Sequence, residues 1–196
     1  MKEIEILVEV YSTKDEIIKA LAKFEFLGIN KTIDTYFYDP LRDNLKPNEN
    51  LQIDECFRVR TKNDINTITY KVDNFDQKGK WLYSDEYETK FEDMCMFNEI
   101  IKKLGLKELI TIHNDKRTYK YNNYEIVFET VKDLGYFIEV EHCTSDDVDV
   151  VKIKNEIQLF IDSLGLNVSE ELNMGKPEMM LKKINSKISN NETTIN

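Results

Sequence analysis

Four segments of this sequence carry like charges at positions i and i+2: Glu3/Glu5, Arg58/Arg60, Glu86/Glu88 and Glu139/Glu141. In a β-strand, residues two apart point to the same face. The alternate positions are mostly apolar or aromatic: Ile4 and Ile6, Phe57 and Val59, Tyr87, Ile138 and Val140. Lys71, Arg117 and Glu129 fall in further strand-like segments. A solvated face of an antiparallel sheet carries the same pattern. If the charges instead converge, they set seven acids (Glu3, Glu5, Glu86, Glu88, Glu129, Glu139, Glu141) against four cations (Arg58, Arg60, Lys71, Arg117). A confined excess of three negative charges calls for a counter-ion. Hard divalent cations with oxygen ligands, Mg²⁺ or Mn²⁺, match such carboxylates. The basic residues then have phosphate oxygens to meet, with arginine offering a two-pronged donor. A site with both signs points to an anion bound together with its metal.

The elements that would position these residues come in two similar runs. Residues 3–11 alternate and read as a strand. Thr13 and Glu16 form a capping box, and Ile17, Leu21 and Phe24 follow at helical spacing up to Leu27-Gly28. Strands are expected near 33–38, 55–61 and 67–72, then near 83–91. A helix near 93–104 closes at Leu104-Gly105, and strands follow near 115–121, 124–130 and 136–142. Ser145-Asp146-Asp147 is expected to cap a third helix ending before Gly165, and a short helix to cover 177–184. Residues 185–196 lack an apolar pattern and read as a disordered tail. The expected fold is α+β: one domain over 1–184, a closed eight-stranded antiparallel β-barrel with helices packed outside. Closure removes exposed strand edges. The helices would cover the apolar strand faces and leave the charged faces inside.

Composition narrows the function. The chain has 196 residues, 41% of them hydrophobic, and a formal net charge of -10. That balance argues against a nucleic-acid surface but not against a small anion held by a local basic cluster. No apolar run approaches the roughly 20 residues of a membrane span. The opening Met1-Lys2-Glu3-Ile4-Glu5 is too acidic for a signal peptide. Three scattered cysteines, Cys56, Cys95 and Cys143, suggest neither a disulfide framework nor a zinc site, and fit the cytoplasm.

At the charged strands the sequence resembles the CYTH family, which groups class IV adenylyl cyclases with inorganic and thiamine triphosphatases. The resemblance runs over about residues 3–183. Glu3-Ile4-Glu5-Ile6-Leu7 is similar to the opening Glu-x-Glu-x-Lys strand, and Asp34-Thr35-Tyr36-Phe37 to a segment of the cyclase branch. Phe57-Arg58-Val59-Arg60 resembles the Arg-x-Arg strand, Thr69-Tyr70-Lys71 the lysine strand after it, and Glu86-Tyr87-Glu88 the paired-acid strand. Leu134-Gly135-Tyr136-Phe137-Ile138-Glu139-Val140-Glu141 is close to Leu-Gly-x-Phe-x-Glu-x-Glu, and Gly175-Lys176-Pro177-Glu178 resembles the end of the domain.

The resemblance implies a triphosphate tunnel, with metal on Glu3, Glu5, Glu86, Glu88, Glu129, Glu139 and Glu141. It places phosphate on Arg58, Arg60, Lys71, Lys116 and Arg117, and catalytic roles on Glu5, Lys71 and Arg117. The cofactor implied is Mg²⁺ or Mn²⁺, and the ligand is ATP, tripolyphosphate or thiamine triphosphate. A homodimer is left open. Three departures stand out: Leu7 where the opening motif has lysine, Ser84 where an arginine commonly precedes the paired acids, and Asp115-Lys116-Arg117 where the family has Lys-x-Arg. Leu7 shares its face with Glu3 and Glu5, so the same lumen is expected to receive it. The functions implied are a cyclase or a triphosphate hydrolase; the alternative is a nucleotide or polyphosphate binder with weak or no turnover.

Overall fold

A computed structural model describes residues 2–192, with side chains through residue 187. Eight strands and four helices follow in the order expected: strand, helix, three strands, twice over, then two helices. The first run is β1 (Lys2–Glu9), α1 (Lys14–Leu21), β2 (Glu25–Tyr38), β3 (Glu55–Lys62) and β4 (Ile65–Phe75). The second is β5 (Trp81–Phe91), α2 (Met94–Leu104), β6 (Lys107–Tyr121), β7 (Tyr124–Val131) and β8 (Gly135–Thr144), before α3 (Val150–Asp162) and α4 (Lys176–Glu192). The strands close into an antiparallel barrel in the order β1-β5-β4-β3-β2-β6-β7-β8. The two runs therefore meet at equivalent strands, β1 beside β5 and β2 beside β6.

The main apolar core lies outside the barrel wall. Ile4, Ile6 and Val8 of β1 cluster with Ile126 and Phe128 of β7, Ile138 and Val140 of β8, Ile17 and Leu21 of α1, and Ile157 and Ile161 of α3. Fully burying one such side chain contributes about 1.5–3 kcal/mol. A second outer cluster sets Phe97 and Ile101 of α2 on Val59 of β3. With alternate residues sealed under helices, the remaining face of each strand turns inward.

Local chemistry fixes the helix starts. Thr13 and Glu16 form the expected capping box, and Asp93 caps α2 by accepting from Met96 N at 2.8 Å. The cap of α3 is Asp149, accepting from Lys152 N at 3.0 Å, rather than Ser145-Asp146-Asp147. Gly28, expected to end α1, sits instead at φ +139° in a bulge of β2, a conformation that disfavours a side chain. Strands β2 and β6 begin eight residues earlier than expected, because each pairs along the other through Glu25–Tyr38. Helix α4, expected over 177–184, runs from Lys176 to Glu192 and so enters the segment expected as a tail. Residues 193–196 lie outside the described ones.

Candidate active site in the barrel lumen

Alternation along the eight strands delivers charge to one cavity of about 540 Å³. Glu3, Glu5 and Leu7 enter from β1, Asp34 from β2, and Arg58, Arg60 and Lys62 from β3. Lys71 and Asp73 enter from β4, Glu86 and Glu88 from β5, Lys116 from β6, Glu125 from β7, and Glu139 and Glu141 from β8. Lys176 and Glu178, at the start of α4, complete its charged lining. Ten carboxyl groups thus face six cations.

The charges are knitted into pairs. Arg60 grips Asp34 with two hydrogen bonds of 2.8 Å, and Asn114 Nδ2 supports the same carboxylate at 3.1 Å. Arg58 donates to Thr69 Oγ1 at 3.0 Å and lies 3.7 Å from Glu86 Oε1; Thr69 in turn donates to Glu88 at 3.0 Å. Lys71 donates to Glu3 and lies 3.8 Å from Glu86 Oε2. Lys116 Nζ and Lys176 Nζ converge on Glu129 Oε1 at 2.9 and 2.8 Å, and Lys176 also reaches Glu139 Oε2 at 2.5 Å.

Protonation follows from this pairing. Burial alone would raise Glu3, but Lys71 outweighs it and holds the carboxyl at about 2. Burial of Glu139 is likewise outweighed by Lys176 and Lys116, which keep it well below the usual carboxylate range. Glu5 and Glu141 are pushed well up by burial and then by the neighbouring carboxylates. Desolvation of Lys71 and Lys176 is overcome by the acids around them, so both stay charged.

One carboxylate oxygen each from Glu5, Glu139 and Glu141 lie within 4.8 Å of one another, and Glu3, Glu141 and Cys143 form a second such group. The all-oxygen trio suits a hard divalent cation. Cys143 fits less well, since burial and then Glu141 push its thiol up to about 12.

Ten of the expected site residues line the cavity: Glu3, Glu5, Arg58, Arg60, Lys71, Glu86, Glu88, Lys116, Glu139 and Glu141. Glu129 is fully buried in the wall behind it, ion-paired to Lys116 and Lys176, with Oε2 unpartnered among the described residues. Arg117 does not join them. The register sets Lys116 opposite Glu129 and Arg117 opposite Phe128 of the outer core, so lysine, not arginine, is the lumen cation of β6. Ser84, fully buried, donates to Asp73 at 2.7 Å. The expectation omitted Lys62 and Glu125, although each shares a strand face with an expected residue. It also omitted Asp34, Asp73, Lys176 and Glu178. The Gly175-Lys176-Pro177 helix start was the available signal for Lys176.

Fold and site together define a closed antiparallel barrel whose lumen, not its core, carries the charge. The CYTH domain model matches residues 1–172, and the chain belongs to the CYTH family. It is 31% identical over 169 residues to a Methanocaldococcus jannaschii protein provisionally named an adenylate cyclase, covering 85% of this chain and 91% of that one. Among solved structures, a Pyrococcus horikoshii protein is 26% identical with a TM-score of 0.75, over 91% of this chain and 99% of its own. A Hippeastrum protein, described as having a dominant triphosphatase activity, shares the fold at 14% identity and a TM-score of 0.61, over 90% of this chain and 93% of its own.

Proposed function

We propose that this chain is a divalent-cation-dependent enzyme acting on a triphosphate inside the barrel. The observation that carries the reading is the convergence of Glu5, Glu139 and Glu141 oxygens within 4.8 Å in the same cavity as Arg58, Arg60, Lys71 and Lys116. A cavity of both signs suits a polyanion and its cation better than either alone. Mg²⁺ or Mn²⁺ would be held by Glu5, Glu139 and Glu141 and would offset phosphate charge when bound.

The chain's own residues supply the rest. Arg58 and Lys71 offer donors to phosphate oxygens where Glu86 is a distant partner, at 3.7 and 3.8 Å. Asp34 fixes the plane of Arg60 from behind, which orients its guanidinium before a substrate arrives. Fixed donors of this kind stabilise the charge that develops during phosphoryl transfer. Two reactions fit: attack of the ribose 3′-hydroxyl of ATP on the α-phosphorus with loss of pyrophosphate, or attack of water on the terminal phosphorus of a triphosphate. The name of the M. jannaschii relative agrees with the first, and the description of the Hippeastrum protein with the second. Incubation with ATP, tripolyphosphate or thiamine triphosphate under Mg²⁺ or Mn²⁺ tests the proposal. Cyclic AMP with pyrophosphate, or orthophosphate, supports it; intact substrates under every metal contradict it.

A further inference from the structure

The two runs of the fold are unequally covered on the outside of the barrel. Helices α1 and α2 are counterparts, each following the first strand of its run. In the first run's cluster, α1 and α3 lie together on β1, β7 and β8. In the matching cluster on β3, β4 and β5, α2 is the only helix represented among the described residues. Glu3/Glu5 and Glu86/Glu88 correspond, so Ile4 and Tyr87 do too. Ile4 is fully buried, whereas Tyr87 is 63% exposed. Leu21 and Phe24 correspond in the same way to Ile101 and Leu104. Phe24 meets the ring of Phe160 in α3, with centroids 5.3 Å apart; Leu104 is 67% exposed. The position that α3 fills in the first run is therefore open beside α2.

The open side of α2 carries an apolar row. Met96, Ile100 and Leu104 are spaced by four, the spacing of a helix ridge, and Met96 and Ile100 are 58% and 50% exposed. Met94, Asn98 and Lys102 line a groove with Thr35 and Phe37 of β2 and Thr61 of β3. The ridge residues stand two positions on from these three, roughly 200° farther round the helix. They therefore lie on the opposite flank, toward β4 and β5, where Tyr87 is exposed. Single exposed apolar side chains are ordinary, but a contiguous row of them marks a contact surface.

Charge along the same helix names the occupant. Glu92, Asp93 and Glu99 lie toward its N-terminal end, and Lys102, Lys103 and Lys107 toward its C-terminal end. A uniformly acidic or basic partner would satisfy one half and be repelled by the other. An antiparallel copy of α2 sets the acids of each helix against the lysines of the other, twice over, with the helix dipoles opposed. We infer that this chain forms a two-fold homodimer through α2. Ile100 of the two copies meets at the axis, Met96 of each packs on Leu104 of the other, and Glu99 of each faces Lys103 of the other. Each copy then gives the other the cover that α3 gives the first run.

Sedimentation velocity of the full chain over a range of protein concentrations tests this. The inference expects a dimer that dissociates on dilution. Ile100→Glu, which sets two carboxylates together at the axis, should raise the dissociation constant about 100-fold or more. Circular dichroism of the variant should match that of the wild type, because Ile100 is half exposed and outside the cluster on β3. Glu99→Lys and Lys103→Glu should each weaken the dimer about tenfold, and the two together should restore most of the loss. A chain still monomeric at about 100 μM overturns the inference. So does a dimer that dissociates equally in wild type and Ile100→Glu, which places the contact elsewhere. Should Ile100→Glu fail to fold, the charge exchange decides: no recovery in the doubly exchanged variant overturns the antiparallel α2 contact.

Discussion

Lys176 Nζ lies 2.5 Å from Glu139 Oε2, and Glu139 is the residue that the sheet register sets opposite Leu7. The cation absent from β1 is thus supplied by the first residue of α4. Leu7 lines the cavity, as its strand face implies, yet it is 2% exposed and packs with Tyr36, Phe137 and Met180. The substitution of leucine for lysine therefore moves a charge from strand to helix instead of deleting it.

Lys176→Met should destabilise the protein by about 3–5 kcal/mol, since it leaves Glu129 and Glu139 buried without their shared ammonium. Leu7→Lys should also destabilise, by about 2–4 kcal/mol, because it removes a packed leucine and adds a second ammonium beside an occupied carboxylate. The double variant should lose less than the sum, with a coupling of about 1 kcal/mol or more, because the new lysine can serve Glu139. Urea unfolding of the four proteins measures it; strict additivity would mean that the two positions do not share a carboxylate.

Arg58→Ala and Arg60→Ala should each weaken triphosphate binding by about 2–5 kcal/mol, as removal of one member of a desolvated charge pair does. Arg117→Ala should change it by less than about 0.5 kcal/mol, since Arg117 stands on the outer side of the wall. Calorimetric titration with tripolyphosphate in Mg²⁺ separates the two classes. A large loss at Arg117 would place that guanidinium in the lumen.

Glu5→Gln, Glu139→Gln and Glu141→Gln should each raise the Mg²⁺ concentration needed for half-maximal triphosphate binding by about tenfold or more, as loss of a charged ligand oxygen requires. Glu125→Gln should not, because Glu125 is outside the trio. Equal Mg²⁺ requirements in all four variants would remove the trio as the cation site.

Burial pushes the Glu178 carboxyl from its ordinary 4.5 up to about 7, with Asp73 nearby adding to it. The folded protein then holds a proton that the unfolded chain gives up. Stability is fully present below about pH 4.5 and falls as pH rises to about 7, by up to about 3 kcal/mol. Asp73, pushed up to about 6 chiefly by burial, adds a loss in the same direction. Glu178→Gln, neutral at every pH, should flatten the profile over this window without abolishing it. Denaturant unfolding between pH 4 and 8, without metal, checks the sign; stability rising through the window would contradict it.

The barrel was legible because its signals are local. Glu3/Glu5 and Glu139/Glu141 keep strict alternation with fully buried Ile4 and Ile138, and the apolar half had helices to cover it. Position 116 against 117 was not legible, since β6 presents Lys116 and Arg117 as neighbours and only register against β7 decides which turns inward. Lys176 was harder still. It comes from a helix start, far in sequence from Glu139, and no strand periodicity announces it. The same holds for Ile53 and Met174, which loop paths carry to the cavity lining.

The central claim is that the lumen holds a triphosphate together with a divalent cation. It is tested most directly by titrating tripolyphosphate into the protein in Mg²⁺ and again in chelator, by calorimetry. Ten carboxyl groups against six cations predict tight binding in Mg²⁺ and affinity lower by about 100-fold or more in chelator. Equal affinity in the two buffers would contradict the account.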